Sequence, residues 1–111
     1  MELFMLSKYS IMLSVLSDLR PLFASIAAHD RSLEDQMRRA STSVVLNLAE
    51  GSGSRGKTRT LRYSTALGSA RETRACLHVA NTLGYIGDVD AALLDRLERV
   101  IATLVNLVRT K

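Results

Sequence analysis

The sequence predicts an all-α protein folded as an antiparallel up-and-down four-helix bundle. Three observations carry this expectation. Four stretches repeat apolar residues at spacings of three, four and seven, short runs of Gly, Asp and Ser separate them, and no stretch alternates with period two. Helices joined by short loops fold most simply side by side and antiparallel. The chain of 111 residues and 12.2 kDa is one domain's worth, residues 1–111, with 47% hydrophobic and 23% charged residues, an ordinary globular balance.

The first helix is expected from roughly Leu6 to Ala28, with Leu6, Tyr9, Leu13, Leu16, Phe23 and Ile26 on one stripe. Pro21 falls inside it and must kink or restart it, because proline lacks an N–H and clashes with the preceding turn. Asp30 and Ser32 supply cap chemistry for the second helix, with Asp35 in capping-box register after Ser32. That helix carries Leu33, Met37, Ala40, Val44 and Leu48 on one face. Gly51-Ser52-Gly53-Ser54-Arg55-Gly56 ends it, since three glycines in six residues are expensive to order as helix.

The third helix starts near Lys57 or Thr58 and reaches Leu83, where Gly84 to Gly87 reads as a C-cap and a tight turn. It is apolar or small on two sides. Leu61, Thr65, Gly68, Glu72, Ala75, Val79 and Leu83 fall on one, and Tyr63, Ala66, Leu67, Ala70 and Leu77 on the other. One face is enough for a bundle core, so the second predicts a homo-oligomer. Asp88 or Asp90 caps the fourth helix, whose Leu93, Leu97, Val100, Ile101, Leu104 and Val108 share a face.

A single Cys cannot form an internal disulfide, which fits a reducing compartment. The apolar opening lacks the basic start, uninterrupted run and cleavage site of a signal peptide, and its serines interrupt it too often for a membrane span. A cytoplasmic protein without a membrane partner is therefore expected. The excess of positive charge, +4 with a pI near 9.7, permits an anionic partner without demanding one.

Gln36-Met37-Arg38-Arg39-Ala40-Ser41-Thr42-Ser43-Val44-Val45-Leu46-Asn47-Leu48-Ala49-Glu50-Gly51 is followed by Ala66-Leu67-Gly68-Ser69-Ala70-Arg71-Glu72 and then Gly84-Tyr85-Ile86. In order and spacing this resembles the four-helix-bundle family first met in intervening sequences of bacterial large-subunit ribosomal RNA. The similarity runs from Leu33 to Ile86; the Trp-containing opening of many members is absent. The resemblance implies a cytoplasmic four-helix bundle assembled as a ring-like homopentamer, with no enzymatic activity attached to it. The accessory variability determinant of diversity-generating retroelements is similar in fold and presents a basic surface to nucleic acid and to a reverse transcriptase.

No catalytic constellation is expected. His29 and His78 are far apart, no Glu-x-x-His pair offers a metal site, and Cys76 sits two residues from His78, about 200° away around a helix. Neither a metal nor a cofactor is expected. Gly56-Lys57-Thr58 lacks the strand and the spacing of a phosphate-binding loop. A nucleotide- or phosphoester-acting enzyme using that loop with Glu50 or Glu72 is the alternative to a binding or scaffold protein. Gln36, Arg39, Ser43, Asn47 and Glu50 step along one side of the second helix and are expected to form a structural polar network with Glu72, pairing Glu72 with Arg39 or Asn47. Arg55, Lys57, Arg59, Arg62, Arg71 and Arg74 are the candidate RNA or DNA contacts, through phosphate neutralisation. The competing reading makes them structural charges, with Arg59 and Arg74 pairing across subunits. Tyr63 stands alone among them, so base stacking is not expected.

Overall fold

The computed structural model describes residues 1–109. Four helices run in order, α1 (Leu3–Ala27), α2 (Arg31–Ser52), α3 (Gly56–Thr82) and α4 (Ala91–Arg109), with no strand among the described residues. Each packs on its neighbours in sequence and α1 closes against α4, giving an up-and-down bundle 42 Å long and 24 × 20 Å across. The α2–α3 turn therefore shares one end with the start of α1 and the end of α4.

Local chemistry sets the boundaries. Glu2 caps α1 by accepting from the Met5 N–H at 2.8 Å, and Asp30 caps α2 by accepting from Leu33 at 2.9 Å. Ser32 lies two residues too late to be the cap, already inside α2. Asp35 bonds Arg38 and Arg39 instead, at 2.9 and 3.4 Å, so the expected capping box does not form. Two glycine-loop residues, Gly51 and Ser52, remain helical, and Gly53 ends α2. At the C-terminus of α3, Gly84 has φ +78°. Tyr85 donates to Ala80 O and Gly84 to Asn81 O, the paired bonds that close a helix on a left-handed glycine. Asp90, rather than Asp88, caps α4 through the Leu93 N–H at 3.2 Å.

Pro21 does not restart the first helix, which is continuous from Leu3 to Ala27. Its missing hydrogen bond frees the Ser17 carbonyl, and both residues lie on the exposed side where water serves it. The buried stripe of α1 differs from the expected one: Met5, Met12, Val15, Leu19 and Ile26 face the core, while Leu6 and Leu13 are exposed. Apolar residues nearly encircle this helix, so spacing alone does not choose a side. By length and composition it could cross a membrane, despite its interrupting serines; here it supplies a bundle face.

In α2, Met37, Ala40, Val44 and Leu48 are buried as their spacing predicts, and in α4 Leu93, Leu97, Val100, Ile101 and Leu104 are buried. Each fully buried Leu, such as Leu77, Leu97 and Leu104, contributes about 1.5–3 kcal/mol from removal of its side chain from water. Arg96 ties α4 to α1 through Ser14 at 2.7 Å and through Asp18. The two faces of α3 separate cleanly. Tyr63, Ala66, Leu67, Ala70 and Leu77 enter the core, whereas Leu61, Val79 and Leu83 are 62%, 43% and 56% exposed.

Candidate nucleic-acid interface

The interface is built around the turn from α2 to α3. Tyr63 packs its ring on the backbone of Gly51, an approach that only a residue without Cβ permits. The Nε–H of Arg59 reaches back to Ser54 O at 2.8 Å and Gly51 O at 3.3 Å, splinting the turn. Gly56 opens α3 at φ +56°, and the N-cap Arg55 makes no side-chain cap bond, so the first N–H groups of α3 face solvent.

The six basic candidates divide by what holds them. Arg59 is the splint, Arg62 pairs with Glu50 at 3.1 Å, and Arg74 pairs with Glu98 of α4 in the same chain at 2.6 Å. Arg59 and Arg74 thus have intrachain partners in place of the cross-subunit pairing considered for them. Arg55, Lys57 and Arg71 are exposed and form no ion pair among the described residues. Arg71 stands apart from the other two, about 21 Å from Lys57 at 1.5 Å rise per helical residue.

Cations also come from elements that sequence spacing does not connect. Lys8 on α1 and Arg109 on α4 share this end of the bundle with Arg55, Lys57, Arg59 and Arg62, against Glu2 and Glu50 among the described residues. Toward the opposite end, residues 18–35 and 88–95 hold seven carboxylates and Arg20 and Arg31; Asp18, Glu34 and Asp35 among them are paired with Arg96, Arg38 and Arg39. The middle of the 42 Å bundle is cationic as well, with Arg38, Arg39, Arg71, Arg74, Arg96 and Arg99 against Glu72 and Glu98, so positive charge runs into the body of the bundle from the α2–α3 end. An aromatic side chain arrives there too. Phe4, 51% exposed, lines a 350 Å³ cavity with Tyr63 and Arg59, so Tyr63 is not alone. Helical periodicity around residue 63 carries no signal for a neighbour at residue 4.

The motif polars of α2 line the groove between α2 and α3 in two groups. Gln36, Arg39 and Ser43 border an open cavity of 510 Å³ with Ser69 and Glu72 of α3. Arg39, Ser43, Asn47 and Glu50 border a second of 410 Å³ with Arg62. Ser69 donates to Ser43 Oγ at 2.8 Å, and the Asn47 amide donates to the Ser43 carbonyl and hydroxyl at 2.9 and 3.1 Å. Glu72 bonds neither Arg39 nor Asn47. It sits on the exposed face, where water solvates its charge and no protein partner is required.

The residues of the enzymatic alternative are dispersed. Glu72 lies about 22 Å along α3 from Lys57 at 1.5 Å per residue, and Glu50 is held by Arg62. Cys76 is buried while His78 is exposed, and burial, reinforced by the nearby Glu72 charge, pushes the thiol pKa up, away from the thiolate a nucleophile needs. Among the described residues no group of three His, Cys, Asp or Glu could hold a metal ion.

The fold is shared with a crystal structure of a protein of unknown function from the S23 ribosomal protein family of Bacteroides thetaiotaomicron. The likeness covers 91% of this chain and 97% of that one, with a TM-score of 0.80 at 16% identity. No curated protein matches the sequence. The model of the 23S rRNA-intervening sequence protein family matches residues 20–106, and the chain belongs to that family.

Proposed function

We propose that this protein is a non-enzymatic, cytoplasmic binding and scaffold module that assembles with copies of itself and takes RNA or DNA backbone on the α2–α3 end of its bundle. The observation that carries the reading is the uneven charge: six cations against two carboxylates at one end, and a carboxylate excess toward the other, where seven carboxylates meet Arg20, Arg31 and the paired Arg38, Arg39 and Arg96. A phosphate backbone is attracted to the first and repelled from the second. The uncapped start of α3 adds free N–H groups and the positive end of a helix dipole.

Assembly rests on the outer face of α3, where Leu61, Val79 and Leu83 meet only solvent and Gly68 has open space beside it. Leu6 and Leu13 form a second exposed apolar strip on α1, which sits diagonally across the bundle from α3. Two different faces on opposite sides favour head-to-tail association, which closes into a ring when the rotation permits. The family resemblance implies five subunits. In a ring of parallel subunits, the cationic ends form one rim and multiply a modest charge into a strong local field.

Affinity for a mixed pool of RNA and DNA is expected to fall steeply between about 50 and 200 mM salt. Replacing Arg55, Lys57 and Arg62 together by Ser should flatten that slope while light scattering still reports the oligomer. Absence of binding at the lower salt overturns the nucleic-acid reading. A 12.2 kDa particle at micromolar concentration overturns the assembly.

A further inference from the structure

We infer that the cavity beneath the cationic end is a pocket for an unpaired nucleobase, so that the strand held there is single-stranded. This rests on the nucleic-acid reading above and adds what that reading lacks, a place for a base. At 350 Å³ the cavity lies at the small end of ligand pockets, the scale of one base with its sugar rather than a larger cofactor.

Its walls have the chemistry a base requires. Phe4 is 51% exposed at the mouth, an apolar ring that sequence-tolerant stacking uses. Tyr63 is only 6% exposed, lines the cavity, and its hydroxyl has no hydrogen-bond partner among the described residues. The ring is buried but the hydroxyl opens to water at the cavity, where it can give or accept one hydrogen bond at a base edge. Burial holds its pKa above the ordinary tyrosine value, so the group is a neutral O–H donor at physiological pH. Ser52 contributes a second hydroxyl. The Glu2 carboxylate accepts from the Met5 N–H through Oε1 and leaves Oε2 for an exocyclic amine.

The rim supplies the phosphate contacts. Arg59 is fixed by its Nε–H on the α2–α3 turn, and its two terminal nitrogens are unoccupied beside the cavity. Lys8 holds its ammonium 5.4 Å from the centre of the Phe4 ring, within reach of the phosphate attached to a base stacked there. A duplex cannot use this arrangement, because its bases are already paired and stacked. Single strands can, since their bases splay onto aromatic side chains.

The test compares a fluorescein-labelled twelve-nucleotide oligocytidylate with an abasic strand of equal charge, by anisotropy in about 50 mM salt. The abasic strand is expected to bind about tenfold more weakly, the scale of one lost stacking contact, with an unchanged salt slope. Phe4→Leu, at a half-exposed position that tolerates the change, should bring the oligocytidylate to the abasic level and leave the abasic strand unaffected. Tyr63→Phe should weaken the oligocytidylate about threefold, the effect of one neutral hydrogen bond. Equal, salt-dependent binding of the two strands overturns the base pocket and leaves the cationic reading standing. No binding of either strand removes the cationic reading itself and the pocket with it.

Discussion

Tyr63 sits so close to Gly51 that a Cβ at position 51 would come within 2.5 Å of its Cε1 and 2.7 Å of its Cδ1, with the Arg62 Cβ at 3.2 Å. Gly51 is thus the point where α2 lets the first turns of α3 approach. This joins a motif glycine to a residue that lines the end cavity, and it explains why the penultimate residue of α2 is a glycine.

Gly51→Ala is expected to destabilise the fold. Forcing a methyl against a buried ring costs about 1–3 kcal/mol, and the gain in helix propensity returns about 0.5–1 kcal/mol. Gly53→Ala provides the contrast, because its φ is −89° and its nearest neighbour is 3.8 Å away. Denaturant melts should place Gly51→Ala about 1–2 kcal/mol below the parent and Gly53→Ala level with it. Equal melts would mean that Tyr63 moves aside freely.

Arg59 is expected to act on stability as well as on binding. Its Nε–H bridges two carbonyls of the turn; Arg59→Met takes away the donor on Ser54 O, while Gly51 O keeps the Ser54 N–H at 3.1 Å. A loss of about 1–2 kcal/mol follows from an unmade charged hydrogen bond at a partly wet site. Arg55→Ser and Lys57→Ser should leave the melt unchanged, because neither side chain has a partner in the chain. Thermal unfolding of the three single variants separates the splint from the two free cations. A destabilised Lys57→Ser would show that Lys57 holds structure too.

How legible the molecule is in its sequence depends on how one-sided each helix is. α4 confines its large apolar residues to one face, and the spacing of Leu93, Leu97, Val100, Ile101 and Leu104 identifies the core side. α1 is apolar almost all round, so the choice of Met5, Met12 and Val15 over Leu6 and Leu13 is made by packing against α2 and α4. The basic residues near the α2–α3 turn are visible as a local cluster. Lys8, Phe4 and Arg109 are not, because only closure of the bundle brings three distant segments to one end. Glu72 fails as a network residue for a related reason: the small residues around it mark a face open to solvent in the single chain rather than the core.

That open face gives the sharpest mutational test of assembly. Gly68 lies mid-helix in α3 with nothing within 4 Å of where a Cβ would be, so within one chain Gly68→Ala only improves helix propensity. The isolated bundle should gain about 0.5–1 kcal/mol. If a neighbouring subunit's helix seats against Gly68, the same methyl must push that helix outward. Close helix approach depends on small residues at the crossing, and the added volume costs about 1–3 kcal/mol at each interface. The two effects have opposite signs and appear in different measurements. Chemical denaturation at concentrations where subunits are separated should show a more stable variant, while light scattering across a dilution series should show it dissociating at higher concentration than the parent. A variant that is stabilised and dissociates with the parent would place the interface away from Gly68, leaving Leu61 or Leu83 as the part of α3 that another subunit covers.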